Sequence, residues 1–192
     1  MRVVLATRNA GKAREVASIL AAVDLQIEVL AANVVLPEEG DAYEANAIAK
    51  ALAAARATGC IALGDDSGLE VDALGGGPGP RSARYGGAGL DDVARTAALL
   101  AALVAVPDAE RCARYVCVAA LATPRGDVAT ARGVCAGRLL RAPRGDGGFG
   151  YDPIFAVEAL TMAELPAATK DALSHRGRAF RALLPALRLH IG

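Results

Sequence analysis

Residues 60–80 read CIALGDDSGLEVDALGGGPGP. A short apolar run, Cys60 to Leu63, reaches two adjacent carboxylates, Asp65 and Asp66, and then a glycine- and proline-rich loop, with no Lys or Arg inside the stretch. The run reads as a short buried strand that ends at the two aspartates. A buried carboxylate without a partner is costly or shifts its pKa. The pair therefore calls for something from elsewhere, such as a cation, a bound ligand or both.

The segments on either side set the fold class. Upstream, RVVLA (2–6) is a β-branched run that breaks at TRNAGK (7–12), and AREVASILAAV (13–23) follows with apolar residues at helical spacing. IEVLA from Ile27 reads as a second strand, and AYEANAIAKALAAARA from Ala42 as a helix rich in Ala and free of Gly and Pro. Downstream, DDVARTAALLAALVAV from Asp91 reads as a helix with acidic residues at its positive end and Pro107 closing it. ARYVCVAALAT and DVATARGVCAGRLL, joined by PRGD, read as an antiparallel pair. A glycine-rich loop, APRGDGGFGYDPIF, precedes a last helix near RAFRALLPALRL, which Pro185 is expected to kink or divide. The result is an α/β chain with a mixed central β-sheet flanked by helices and polar loops at the strand ends, where such sheets place ligands.

At 192 residues the chain has the length of one domain, 1–192, able to bury a core without staples. It is 54% hydrophobic but only 4% aromatic, with no Trp, so aliphatic packing and Ala-rich helices must supply that core. A formal net charge of zero argues against nucleic acid or a membrane surface as partner. The four cysteines (60, 112, 117, 135) lack CxxC spacing and read as reduced, small core residues. The first residues, MRVVLATRNAGK, are too short an apolar run for a signal or a span, so the expected location is the cytoplasm.

Four stretches can carry chemistry. In TRNAGK, Thr7, Asn9 and Lys12 lie in a strand-to-helix turn whose N–H groups can cradle phosphate oxygens. It is no Walker A loop, because the first glycine is missing and Ala13 stands where a Ser or Thr would be. Asp65 and Asp66 can hold a hard cation, orient a water or take its proton, with Ser67 available to an anion. The acidic pair Glu38 and Glu39 can complete a metal site, or serve only as a dipole complement for the helix after it. In GGFGYDP, glycines around Phe149 admit a flat ligand, with Phe149 or Tyr151 as stacking face and Asp152 as acceptor. KDALSHRG gathers Lys170, His175 and Arg176, and the arginine disfavours the charged imidazole.

Taken together, LATRNAGK, DDSGLEVDALGGGPGPRSARYGG, PRGDGGFGYDPIF and SHRGRA resemble the Ham1/inosine triphosphate pyrophosphatase family, in the family's order and over nearly the whole chain. The resemblance implies a Maf/Ham1-like fold with two lobes and the active site in the cleft between them. It implies a magnesium-dependent homodimer that hydrolyses the non-canonical purine nucleoside triphosphates ITP, dITP and XTP to monophosphate and pyrophosphate. Residue by residue, it implies that Thr7, Arg8, Asn9, Ala10, Gly11 and Lys12 hold the triphosphate. Asp66 is the implied proton acceptor and Mg2+ ligand, with Glu39 as the other acidic metal residue. Ser67 then binds substrate, Phe149, Gly150, Tyr151 and Asp152 hold the base, and Lys170, His175 and Arg176 complete the pocket. PEEGDAYEANA departs from the family pattern after the second glutamate, and so does Arg81 in PGPRSARY. A Maf-like pyrophosphatase acting on other nucleotides and a nucleotide sensor without turnover are the competing readings.

Overall fold

The structure, a computed structural model, describes residues 1–37 and 40–191. Eight strands among them form one mixed sheet: β1 (Arg2–Ala6), β2 (Gln26–Val29), β3 (Ile61–Val71), β4 (Pro78–Gly79), β5 (Cys112–Ala122), β6 (Val128–Leu139), β7 (Phe155–Val157) and β8 (Leu160–Thr161). The strand order is β2-β1-β3-β5-β6-β7-β8, with β4 paired beside β3. β1 is parallel to both β2 and β3, and β3 to β5 and onward is antiparallel. The helices are α1 (Ala10–Ile19), α2 (Tyr43–Thr58), α3 (Asp92–Ala102), α4 (Ala167–Leu173) and α5 (His175–Ile191).

Strand periodicity sorts the core. Along β1 and β3, Val3, Leu5 and Leu63 face Val16 of α1, Leu20 at its C-cap, and Phe180, Leu183 and Leu187 of α5. Val4, Ala6 and Ala62 face the opposite way, onto Ala47, Ala51, Ala54 and Ala55 of α2. The alanine stripe lets α2 lie close to the sheet, so close that a Cβ on Gly64 would meet the Ala47 carbonyl oxygen at 2.7 Å. A second apolar cluster joins Leu69 and Val71 of β3 to Leu99 of α3, Leu103 at its C-cap, Tyr115, Leu139, Ile154, Phe155 and Met162.

Three expectations change. β3 does not stop at the aspartates; it runs on for 11 residues, with Asp65 opposite Ala119 and Asp66 opposite Val118 on β5. The reason is electrostatic: both carboxylates have cationic or amide partners contributed by distant segments, so the strand can carry them inside. α5 is not divided at Pro185, which sits within one continuous helix. Of the cysteines, all are free and Cys117 and Cys135 are buried, but Cys112 is exposed, at the first position of β5.

Candidate active site

A cleft of about 520 Å³ opens at the point where β1 ends and β3 passes from the first apolar cluster to the second. That volume suits a nucleotide-sized ligand. All four candidate stretches contribute to its walls.

β1 delivers the first wall. Thr7 follows the strand, its Oγ1 accepts from the Asn9 N–H at 3.1 Å, and Asn9 caps α1 by accepting from the Lys12 N–H at 3.0 Å. Capping fixes the first turn of α1 at the cleft, where helix N–H groups and partial positive charge favour phosphate. Ala10 and Gly11 form this turn without lining the cleft; Gly11 is instead a packing point, because a Cβ there would lie 2.6 Å from the Phe149 ring. Arg8 lines the cleft, yet its guanidinium donates to the carbonyls of Leu30 at 2.7 Å, Ala31 at 2.9 Å, Ala32 at 3.3 Å and Val34. It ties down the segment after β2.

The two aspartates separate because successive strand residues face opposite sides. Asp65 points towards α1 and α5, where its Oδ2 lies 3.1 Å from Lys12 Nζ and 3.3 Å from an Arg176 terminal nitrogen. Burial alone would raise this carboxyl, but the charges of Lys12, then Arg176 and Lys50, outweigh it and hold it well below the usual carboxylate range. Asp66 points towards α2: its Oδ2 accepts from Asn46 Nδ2 at 2.7 Å and its Oδ1 lies 3.5 Å from Lys50 Nζ. Asn46 also exchanges hydrogen bonds with the Gly40 backbone, anchoring the chain before α2. Asp66 lines the cleft and Asp65 does not.

The opposite wall is a charged lattice around Phe149. Glu15, on α1 one turn beyond Lys12, accepts from Lys170 Nζ at 2.6 Å and from Arg176. Lys170 also reaches Asp152 at 2.6 Å, and Arg176 donates to Ser67 Oγ at 2.9 Å. Both cations lie over the Phe149 ring, 5.1 Å and 5.7 Å from its centroid. Burial would lower the Lys170 ammonium, but Asp152 and Glu15 more than offset it, so the group stays charged. Asp152 is pushed up by burial against the pull of Lys170; it accepts from the Phe149 N–H at 2.8 Å and from Tyr115 Oη at 3.3 Å. Tyr151 donates to the Ser82 carbonyl at 2.8 Å.

His175 begins α5, stacked on Tyr115 with centroids 4.6 Å apart and an interplanar angle of 12°. Burial first, and Arg176 second, push its pKa well below the ordinary imidazole value, so the ring is neutral at physiological pH. Its Nδ1 is buried with no hydrogen-bond partner among the described residues.

Thr7, Asn9, Lys12, Asp66, Ser67, Phe149, Gly150, Tyr151, Asp152, Lys170, His175 and Arg176 thus converge on one cleft. Glu38 and Glu39 lie outside the described residues. Among the described residues no three His, Cys, Asp or Glu side chains are grouped for a metal ion. Arg81, which had no assigned role, forms a two-pronged ion pair with Asp41 at 2.7 and 2.9 Å. Sequence reasoning missed Glu15, Asn46, Lys50, Asp92, Arg95 and Tyr115. Glu15 had a usable signal, since it is three residues from Lys12 on the same helix face; the partners on β5 and α2 depend on sheet register.

A model of the Ham1 family matches residues 3–186. The chain is 47% identical to a dITP/XTP pyrophosphatase of Desulforamulus reducens, over 100% of this chain and 98% of that protein. It is 48% identical to one of Geobacter sulfurreducens, over 100% and 96%. Among solved structures, it superposes on the Ham1 protein of Staphylococcus aureus with a TM-score of 0.85 and 36% identity, covering 99% of this chain and 100% of that one. The HAM1 protein of Coxiella burnetii gives 0.84 and 38%, covering 98% of each chain. No helix among the described residues is long and apolar enough to cross a membrane.

Proposed function

Because the chain belongs to the Ham1 family, we propose the following account of what its cleft does. The protein is a nucleoside triphosphate pyrophosphatase that hydrolyses the non-canonical purine nucleotides ITP, dITP and XTP to the monophosphate and pyrophosphate. The observation that carries this reading is the position of Arg176. Its guanidinium touches Asp65 of β3, Ser67 and Glu15 of α1 while lying over the Phe149 ring, so phosphate cradle and base pocket share one cleft.

The triphosphate brings roughly four negative charges. The first turn of α1 and Lys12 meet them, with Lys12 held in place by Asp65. At the α-phosphorus the reaction needs one aligned water, a base and stabilisation of the leaving pyrophosphate. Asp66 is the base: it faces the cleft, oriented by Asn46 and with Lys50 beside it. Asp66 takes the water proton as the water oxygen bonds to phosphorus, and pyrophosphate departs on the Lys12 side.

A cleft-facing carboxylate beside a phosphate cradle suits magnesium. This small cation keeps several waters and is commonly held by one or two carboxylates plus substrate phosphates; Asp66, which faces the cleft, would supply one such carboxylate, and the family resemblance gives Glu39, outside the described residues, as the other. When bound, the ion offsets charge on the phosphate oxygens and leaving group.

Base choice follows from hydrogen-bond polarity. Inosine and xanthine present a 6-carbonyl acceptor and an N1–H donor, and adenine reverses both. Lys170, held by Glu15 and Asp152, is a donor only, so it favours the 6-carbonyl acceptor over the amino group of adenine. The buried His175 Nδ1, without a partner among the described residues, leaves a ring nitrogen available to the base edge. We further propose that the chain works as a cytoplasmic homodimer.

Product analysis tests the cleavage site. Incubation with ITP and magnesium should yield IMP and pyrophosphate in equal amounts, and none without a divalent ion. IDP with orthophosphate would overturn the assignment. Saturable ITP binding without any product would favour the sensor reading.

A further inference from the structure

Asp91 and Asp92 open α3, and their carboxylates do different work. Asp91 is the N-cap, accepting from the Ala94 N–H at 2.8 Å. With the helix start satisfied, Asp92 turns outward: its Oδ2 accepts from the Gly150 N–H at 2.7 Å, and its Oδ1 takes an Arg95 terminal nitrogen at 2.7 Å. One turn along the helix, Thr96 Oγ1 lies 3.4 Å from the Gly150 carbonyl oxygen. α3 therefore grips both backbone polar groups of Gly150, the residue between Phe149 and Tyr151. Asp152 holds the same loop from the inside through the Phe149 N–H.

We propose that Asp92 is a positioning residue for the nucleobase, which with Thr96 fixes the 149–152 loop at the depth where Phe149 can stack a purine. The inference rests on the reading of that loop as the base site. Two features suit a carboxylate here. It lies at the positive end of α3, and Arg95, which is also anchored on the Leu90 carbonyl and lines the cleft, balances its charge. The Asp92 side chain is half exposed, so its ion pair with Arg95 adds little to global stability. Its effect is local, on the loop and hence on substrate affinity.

The test compares Asp92→Ala with Asp92→Asn, whose amide oxygen still accepts from Gly150. Losing a hydrogen bond to a charged acceptor should raise KM for ITP about tenfold in Asp92→Ala, leaving kcat within about threefold and the melting temperature near wild type. Amide exchange at residues 149–151, measured without substrate, should accelerate in that variant. Asp92→Asn should restore both KM and exchange, and Thr96→Val should give a smaller change in the same direction. The proposal is overturned if Asp92→Ala leaves KM and exchange unchanged, or if Asp92→Asn is as impaired as Asp92→Ala, which would assign the effect to charge. Wild-type protein that releases no pyrophosphate from ITP would instead overturn the substrate reading, and amide exchange alone would then judge the clamp.

Discussion

Asp65 and Asp66 are neighbours in the chain and belong to opposite faces of β3. Asp65 meets Lys12 at 3.1 Å, and Asp66 meets Asn46 at 2.7 Å. The first is an internal counter-ion for the cations of α1 and α5, and the second faces the cleft, so substituting them should separate stability from turnover.

Asp66→Asn keeps the size and the contact with Asn46 but removes the proposed base. Pyrophosphate release should fall by roughly 10²–10⁴-fold, while the protein stays folded despite the lost ion pair with Lys50. Turnover close to wild type would remove Asp66 from the role of base.

Asp65→Asn leaves Arg176 and Lys12 without their shared anion in a buried setting. Breaking one partner of a buried pair costs roughly 3–5 kcal/mol, and Asp65 holds two cations at 3.1 and 3.3 Å where Asp66 holds Lys50 at 3.5 Å, so the urea midpoint should drop more than for Asp66→Asn. Equal midpoints would show that Asp65 is not the counter-ion.

Glu15→Gln weakens the hold on Lys170 and Arg176 together. Because both cations lie over Phe149, KM for ITP should rise more than kcat falls. An unchanged KM would mean that Lys170 and Arg176 keep their places without Glu15.

His175 gives a pH signature. Its folded pKa lies below the unfolded value of about 6.5, so below that pH the unfolded chain binds a proton that the folded chain refuses. Stability should therefore be complete above about pH 6.5 and decline on acidification at up to about 1.4 kcal/mol per pH unit. His175→Asn should flatten the urea midpoint between pH 6.5 and 5, and an identical slope in both proteins would contradict the assignment.

How much of this was legible in the sequence depends on the range of each interaction. β1, α2 and the β5–β6 hairpin follow from apolar periodicity and turn residues, which are local. The extent of β3 was not legible, because its aspartates read as a strand end until Lys12, Lys50, Asn46 and Arg176 arrive from other segments. Asp92 looked like a dipole complement, since its partner Gly150 lies 58 positions along the chain. Phe149, Lys170 and Arg176 stood out because aromatic, glycine and basic residues cluster within short motifs. Glu15, which binds two of them into one lattice, sat in an ordinary helical pattern.

The most direct test of the central claim is kcat/KM for pyrophosphate release from ITP and from ATP, measured side by side with magnesium. A pocket whose cations can donate to the base but not accept from it predicts a preference for ITP of about 10⁴-fold. Comparable values for the two nucleotides would contradict it.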